Sequence, residues 1–422
     1  MTLPHNLGSR PIVITGLGVI TALGDRDCSW QRLLAGETAL VHRQPFPEIP
    51  PYPLAMVGET PVDLDTLVFP VALAALRDAA LLTDNQGIEQ VRFPLETGLV
   101  MGSSRGGQGL LERGRDRYLS QNNAQNAQDN NSQSSHWFIE ALHHSTLVAL
   151  ARELNIQGPL SAPMAACATG LWSIMQGVLL LRSRQCKQVL VVTAEAPITP
   201  LSLAGFSQMR ALAQSGLYPF DIDRQGLALG EGAAAFVLEC LDEDDNLYRR
   251  GAQNYGQILG LGFTADGTHL TAPDKTHRGM HQALCQCLGT HGKTAKSRRT
   301  STASIGYVHA HGTGTRLNDV QEATVLQRWF PNKIPVSSTK GATGHTLGAS
   351  GGLGLAWSLL TLRDQVLPPC VGLTNPAFDL NFVLPGEQRQ PDDSLVAVLN
   401  LAFGFGGQNG AIAIGHPDGA IL

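Results

Sequence analysis

The chain has 422 residues, a formal net charge of −5 at pH 7 and a pI near 6.2. Hydrophobic residues make up 43% and charged ones 15%, enough apolar material to bury a large core as two domains or one fused pair. The acidic balance excludes a nucleic-acid binder built on a basic stripe, no run approaches the ~20 apolar residues of a membrane span, and residues 1–5 lack a signal-peptide pattern.

In chain order, residues 11–18 read as a short buried strand entering a glycine turn, 71–82 have helical spacing, and 97–102 form a second buried strand. Residues 121–135, rich in Gln, Asn and Ser, read as a surface excursion rather than a domain boundary. An apolar helix at 171–181 and strands at 188–194 and 233–238 follow, and the charged stretch 241–251 reads as a seam. The second half starts over, with a strand at 258–262, a helix at 280–288 and a strand into a turn at 305–312. An apolar helix at 353–362 and strands at 395–400 and 410–414 close it. Continuous apolar strands alternating with helices define an α/β protein with a buried sheet, in two similar halves, residues 10–250 and 251–418. The 46 glycines read as tight turns. The group Lys293, Lys296, Arg298 and Arg299 reads as a solvated loop. The 7 cysteines are odd in number and unpaired in spacing, which fits a reducing, cytoplasmic setting with no disulfide framework and no metal site.

Cys167 lies among small residues in Met164-Ala165-Ala166-Cys167-Ala168-Thr169-Gly170, directly before an apolar helix. A thiol at a helix mouth is stabilised as thiolate by the dipole and the free N–H groups. Taken alone, such a cysteine is more often a packed core thiol. Its weight comes from later motifs: His311-Gly312-Thr313-Gly314-Thr315 with Asp319 and Glu322 on a following helix, Ser337-Ser338-Thr339-Lys340-Gly341-Ala342-Thr343-Gly344-His345, and Asn400-Leu401-Ala402-Phe403-Gly404-Phe405-Gly406-Gly407. Three strand-to-glycine-turn junctions could converge on one thiol. His309, two residues before His311, reads as facing away from the site and structural.

These motifs, in this order and over nearly the whole length, resemble those of the β-ketoacyl synthases, the decarboxylating condensing enzymes of the thiolase superfamily, and most closely the ketosynthase II type of fatty-acid synthesis. The resemblance implies the thiolase fold, two similar halves in a five-layer αβαβα arrangement, as a homodimer. It implies that Cys167 takes an acyl group from acyl carrier protein, that His311 and His345 stabilise the enolate of malonyl-carrier protein, and that Lys340 pairs with Glu322 to order the histidines, with Asp319 in support. The backbone N–H groups of Cys167 and Phe403 would form an oxyanion hole, with Phe403 as gate. Thr313, Thr315 and Thr271 would line the path of the phosphopantetheine arm, Arg210 would touch the carrier protein, and no resident cofactor is needed.

Three positions depart from the family pattern. Arg105 stands where an isoleucine commonly borders the acyl pocket, so short or polar acyl groups are expected. Gly354 stands where elongating relatives carry a glutamate, and Gln408 replaces a threonine. A specialised ketosynthase of polyketide or polyene synthesis is therefore the runner-up. A non-catalytic partner of the chain-length-factor kind would lack the cysteine that this chain retains.

Overall fold

Strands from both ends of the chain meet in the middle of the sheet. The computed structural model describes residues 10–82, 93–123, 136–241, 251–289, 304–386 and 390–417. The stretch 124–135, residues 242–250 of the 241–251 seam and the basic group at 293–299 lie outside them.

In the first half, β1 (Ile12–Thr21) carries the short β2 (Gly24–Asp25), and β3 (Val41–Arg43) and β4 (Tyr52–Leu54) form a separate ribbon. Then come β5 (Thr97–Gly102), β6 (Leu160–Ser161), β7 (Gln188–Glu195) and β8 (Gly232–Cys240). The second half contributes β9 (Gly256–Ala265), β10 (Ile305–His309), β11 (Pro335–Ser337), β12 (Asn381–Phe382), β13 (Ala397–Gly404) and β14 (Gln408–Gly415). Along the order β1-β8-β7-β5-β6 the pairings run antiparallel, antiparallel, parallel, parallel. The order β9-β14-β13-β10-β11 repeats that sequence of directions, with β12 added parallel at its edge. The two sets touch through β1 and β9, where Val13 faces Gln257 and Ile14 faces Gly256.

The strands are apolar on both faces because helices cover both. Leu64–Asp78 and Ser145–Glu153 pack on the outer face of the first set. Arg278–Leu288 and Arg316–Trp329 do the same for the second. Between the sets lie Thr169–Arg182 and Ser350–Asp364, the latter buried on every side from Ser350 to Leu362. The layering is αβαβα. Small residues let the two central helices approach, since a Cβ on Gly170 would stand 2.4 Å from the Gly352 nitrogen.

The helix read at 71–82 starts earlier, at Leu64, and stops at Asp78, before the left-handed Ala80 (φ 53°). Pro70 lies inside the helix on its exposed side and does not end it. Among the described residues no helix is long and apolar enough to cross a membrane. All seven cysteines are free of disulfides.

Candidate active site

Cys167 sits on a turn that its neighbours fix tightly. Ala166 adopts the left-handed region (φ 47°), unusual for a residue with a side chain. The Thr169 hydroxyl accepts from the Ala165 N–H at 2.8 Å and donates to the Ala166 carbonyl at 2.6 Å, so one side chain holds both ends of the turn. The end of β13 closes over it. A Cβ on Gly404 would come within 2.6 Å of the Ala165 carbonyl and 3.1 Å of the Cys167 nitrogen, so only glycine allows this approach.

Burial dominates the electrostatics of the sulfur and pushes the thiol up to about 11. Lys340, Arg105 and a hydrogen bond from the Phe405 backbone pull it down, while the buried Glu195 pushes it further up. The resting group is therefore a thiol. The expectation of a thiolate at the helix mouth gave too little weight to desolvation. The backbone group that reaches the sulfur belongs to Phe405.

His311 follows β10 and His345 follows the turn Lys340–Thr343, and their rings meet edge-on at 5.6 Å between centroids. Phe403 stands edge-on to His311 at 5.8 Å. The His345 Nδ1 receives the Leu347 N–H at 3.2 Å and lies 2.9 Å from the Ser350 hydroxyl, so the proton of the neutral ring is on Nε2. The His311 Nδ1 faces the Lys340 ammonium at 3.4 Å, which places its proton on Nε2 as well. Burial first, then the charge of Lys340, holds both imidazoles well below the ordinary histidine range. Both are neutral N–H donors.

Lys340 is buried and donates to the His311 carbonyl. Glu322 accepts from the backbone N–H groups of His311 at 2.6 Å and Gly312 at 2.8 Å. The expected direct pairing of Lys340 with Glu322 is replaced by a clamp on the two sides of His311. Cation and carboxylate still interact through space, since each lies in the other's field. Burial raises the Glu322 carboxyl and lowers the Lys340 ammonium. Asp319, pushed up to about 6 by burial, accepts from the N–H groups of Phe220 at 2.8 Å and Thr313 at 3.1 Å.

Cys167, His311, His345 and Phe403 line a cavity of about 460 Å³. Thr313, Thr315, Thr271 and Arg210 line it too, with the two threonine hydroxyls of the 313–315 turn 2.9 Å apart. Arg105 lies outside this lining. Its guanidinium stacks 5.5 Å from the Phe206 ring, and Phe206 is a wall of the cavity. Its backbone is held by Glu195, which also accepts from Ser103, Ser104 and the Gly348 N–H. The signal for Glu195 in the sequence is a carboxylate ending the apolar strand Gln188–Glu195, where it is buried. His309 does not line the cavity. As the last residue of β10 it packs beside Asn400 and Gly354, and its Nε2 lies 3.1 Å from the Thr339 hydroxyl. His311 lies in the turn beyond the strand, so strand alternation cannot relate the two.

A duplicated α/β unit with a thiol and two imidazoles at the meeting of its halves is the constellation of a thiolase-type condensing fold. The sequence pattern "Beta-ketoacyl synthase, N-terminal domain" matches residues 64–244 and "Beta-ketoacyl synthase, C-terminal domain" matches 255–374. The 3-oxoacyl-acyl-carrier-protein synthase 2 of Coxiella burnetii is 31% identical, over 96% of this chain and 98% of its own. A β-ketoacyl synthase from Burkholderia phymatum superposes with a TM-score of 0.79 at 27% identity, covering 96% of this chain and 99% of the other. A structure of a ketosynthase in complex with its chain length factor from Xenorhabdus doucetiae gives 0.74 at 26%, covering 98% and 100%. The chain belongs to the β-ketoacyl synthase family.

Proposed function

We propose that the protein is a 3-oxoacyl-acyl-carrier-protein synthase that elongates fatty acyl chains. The Cys167 sulfur attacks the thioester of an acyl-acyl carrier protein; the acyl–cysteine bond forms, the carrier thioester breaks, and the thiol proton leaves on the departing pantetheine sulfur. Malonyl-carrier protein then enters through the cavity mouth. Loss of carbon dioxide leaves an enolate whose oxygen takes the Nε2–H bonds of His311 and His345; its carbon attacks the acyl carbonyl, the new carbon–carbon bond forms as the acyl–sulfur bond breaks, and Cys167 leaves as a thiolate that takes a proton from solvent. Backbone N–H groups of Cys167 and of the Phe403–Phe405 turn serve the tetrahedral intermediates, a role worth about 3 kcal/mol per donor. Thr313, Thr315 and Thr271 hold the pantetheine arm, Arg210 meets the acidic carrier protein, and the reaction uses no resident cofactor. Lys340, Glu322 and Asp319 hold the histidine turn.

The observation that carries this reading is the opening of a thiol and two Nε2–H imidazoles into one cavity. Intact-mass measurement after adding acyl-carrier protein tests it. Wild type should gain one acyl group and Cys167→Ala none; absence of an adduct on wild type would point instead to a non-catalytic partner. The charged Arg105 beside the cavity wall favours a specialised polyketide or polyene ketosynthase as second reading, distinguished by a panel of acyl and polyketide carriers. We further propose a cytoplasmic homodimer. Among the described residues β6 ends the sheet, its Leu160 and the following Met164 are exposed, and so are Phe138 and Ile139 on the helix His136–Glu140.

A further inference from the structure

Behind His311 lies a second, fully buried imidazole that the reaction above does not use. The parallel register of β10 and β13 sets His309 directly beside Asn400, and both side chains are enclosed. The Asn400 amide nitrogen donates to the Gly351 carbonyl at 3.0 Å, which turns its oxygen toward His309. Neither that oxygen nor the His309 Nδ1 is satisfied at normal hydrogen-bond geometry among the described residues, and the Asn400 side chain and the His309 carbonyl both favour a proton on the ring. Both converge on Gly354: a Cβ there would stand 2.7 Å from the Nδ1 and 2.8 Å from the Asn400 oxygen. On its far side, the His309 Nε2 meets the Thr339 hydroxyl at 3.1 Å.

One protonation pattern satisfies this chain. Because the asparagine presents its carbonyl, the His309 Nδ1 must carry the proton, and Nε2 must accept from the Thr339 O–H. Thr339 immediately precedes Lys340, and its carbonyl receives the Ala342 N–H at 3.0 Å, opening the turn that carries the lysine. The line therefore runs from the central helix at Gly351, through Asn400, His309 and Thr339, to Lys340 and so to the His311 carbonyl. Burial and the nearby Lys340 charge hold His309 down at about 3, so the ring stays neutral and adds no second cation beside the lysine.

Resting on the condensing activity above, we propose that His309 is a positioning residue for the malonyl half-reaction, that it sets Lys340 and His311 through Thr339, and that Gly354 is glycine to admit its ring. Cys167 lies on a separate turn, held by Thr169 and Gly404, and the buried Lys340 charge that favours its thiolate persists in a His309 variant, so acyl transfer is the less affected half-reaction.

The two half-reactions separate the outcomes. In His309→Leu the kcat for malonyl-carrier decarboxylation should fall about tenfold, with KM and Cys167 acylation within about twofold of wild type. His309→Gln, which keeps polar atoms for one of the two neighbours, should recover most of the loss. Gly354→Ala should depress decarboxylation as His309→Leu does, and the smaller side chain in His309→Asn/Gly354→Ala should restore part of it. The inference is overturned if His309→Leu decarboxylates like wild type, if both half-reactions and the melting temperature fall together, or if Gly354→Ala is silent. A wild-type enzyme that takes up no acyl group would overturn the condensing activity itself, a result none of these variants can mimic.

Discussion

At the residue scale, a buried cysteine with a thiol near 11 must lose its proton during the reaction rather than before it. The alkylation rate of Cys167 by iodoacetamide should therefore climb steadily with pH through the range where an ordinary free thiol, near about 8.5, levels off. Lys340→Met should slow the reaction at neutral pH, because it removes the largest influence that favours the thiolate. The difference should shrink at higher pH, where Lys340, itself pulled down by burial, loses its proton. A plateau near the ordinary thiol value would mean that the helix mouth outweighs desolvation. Arg105 makes the second residue-scale prediction. Its guanidinium lies on Phe206, so Arg105→Ile should remove a charge behind the cavity wall and extend the acyl-length profile toward longer chains. An unchanged profile across short and long acyl carriers rules Arg105 out as the selector.

At the scale of elements, the site depends on two close approaches. Gly404→Ala would drive a methyl group into the Ala165 carbonyl at 2.6 Å and move the turn that carries the sulfur. A displacement of about 1 Å can cost about a hundredfold in rate, so acylation should fall by that order while circular dichroism keeps the wild-type fold. Thr169→Val keeps the shape of the helix start but leaves the Ala165 N–H and the Ala166 carbonyl without their hydroxyl partner. Unpaired buried backbone groups cost about 1–3 kcal/mol, which urea denaturation would register as a lower midpoint at unchanged slope. These turns show how far the sequence could be read. The glycines and small residues around Cys167, His311, His345 and Phe403 were visible as motifs because such approaches demand them. What they press against was not visible, since the Gly404 contact joins positions more than two hundred residues apart. The Lys340–Glu322 clamp was misread for the same reason: charge complementarity predicts a pair, and only the fold shows that the His311 peptide lies between. The strands β6, β11 and β12, two or three residues each, were missed because periodicity needs a longer run.

At the scale of the whole molecule, the two sets of strands could be mistaken for independent domains, because the repeated pairing directions invite that view and β1 and β9 share only two register pairs. The core says otherwise. One cluster takes in Ile12, Leu171, Ile174 and Val178 from the first half with Leu353, Leu355, Trp357 and Leu359 from the second. The helix Ser350–Asp364 has no face in water along thirteen residues, so its far side belongs to the other half. Its Leu353, Leu355, Trp357, Leu359, Leu360 and Leu362 are each 2% exposed or less. At about 2 kcal/mol per large apolar side chain, burial of these six contributes roughly 12 kcal/mol. Losing even half of it would be comparable to the roughly 5–15 kcal/mol that hold a protein folded. Residues 1–250 and 251–422 produced separately should therefore fail to give dispersed amide spectra, while co-production should restore a folded, acylatable complex. A half that folds alone, with a cooperative thermal transition, would show that the central layer is an interface between finished domains rather than one shared core.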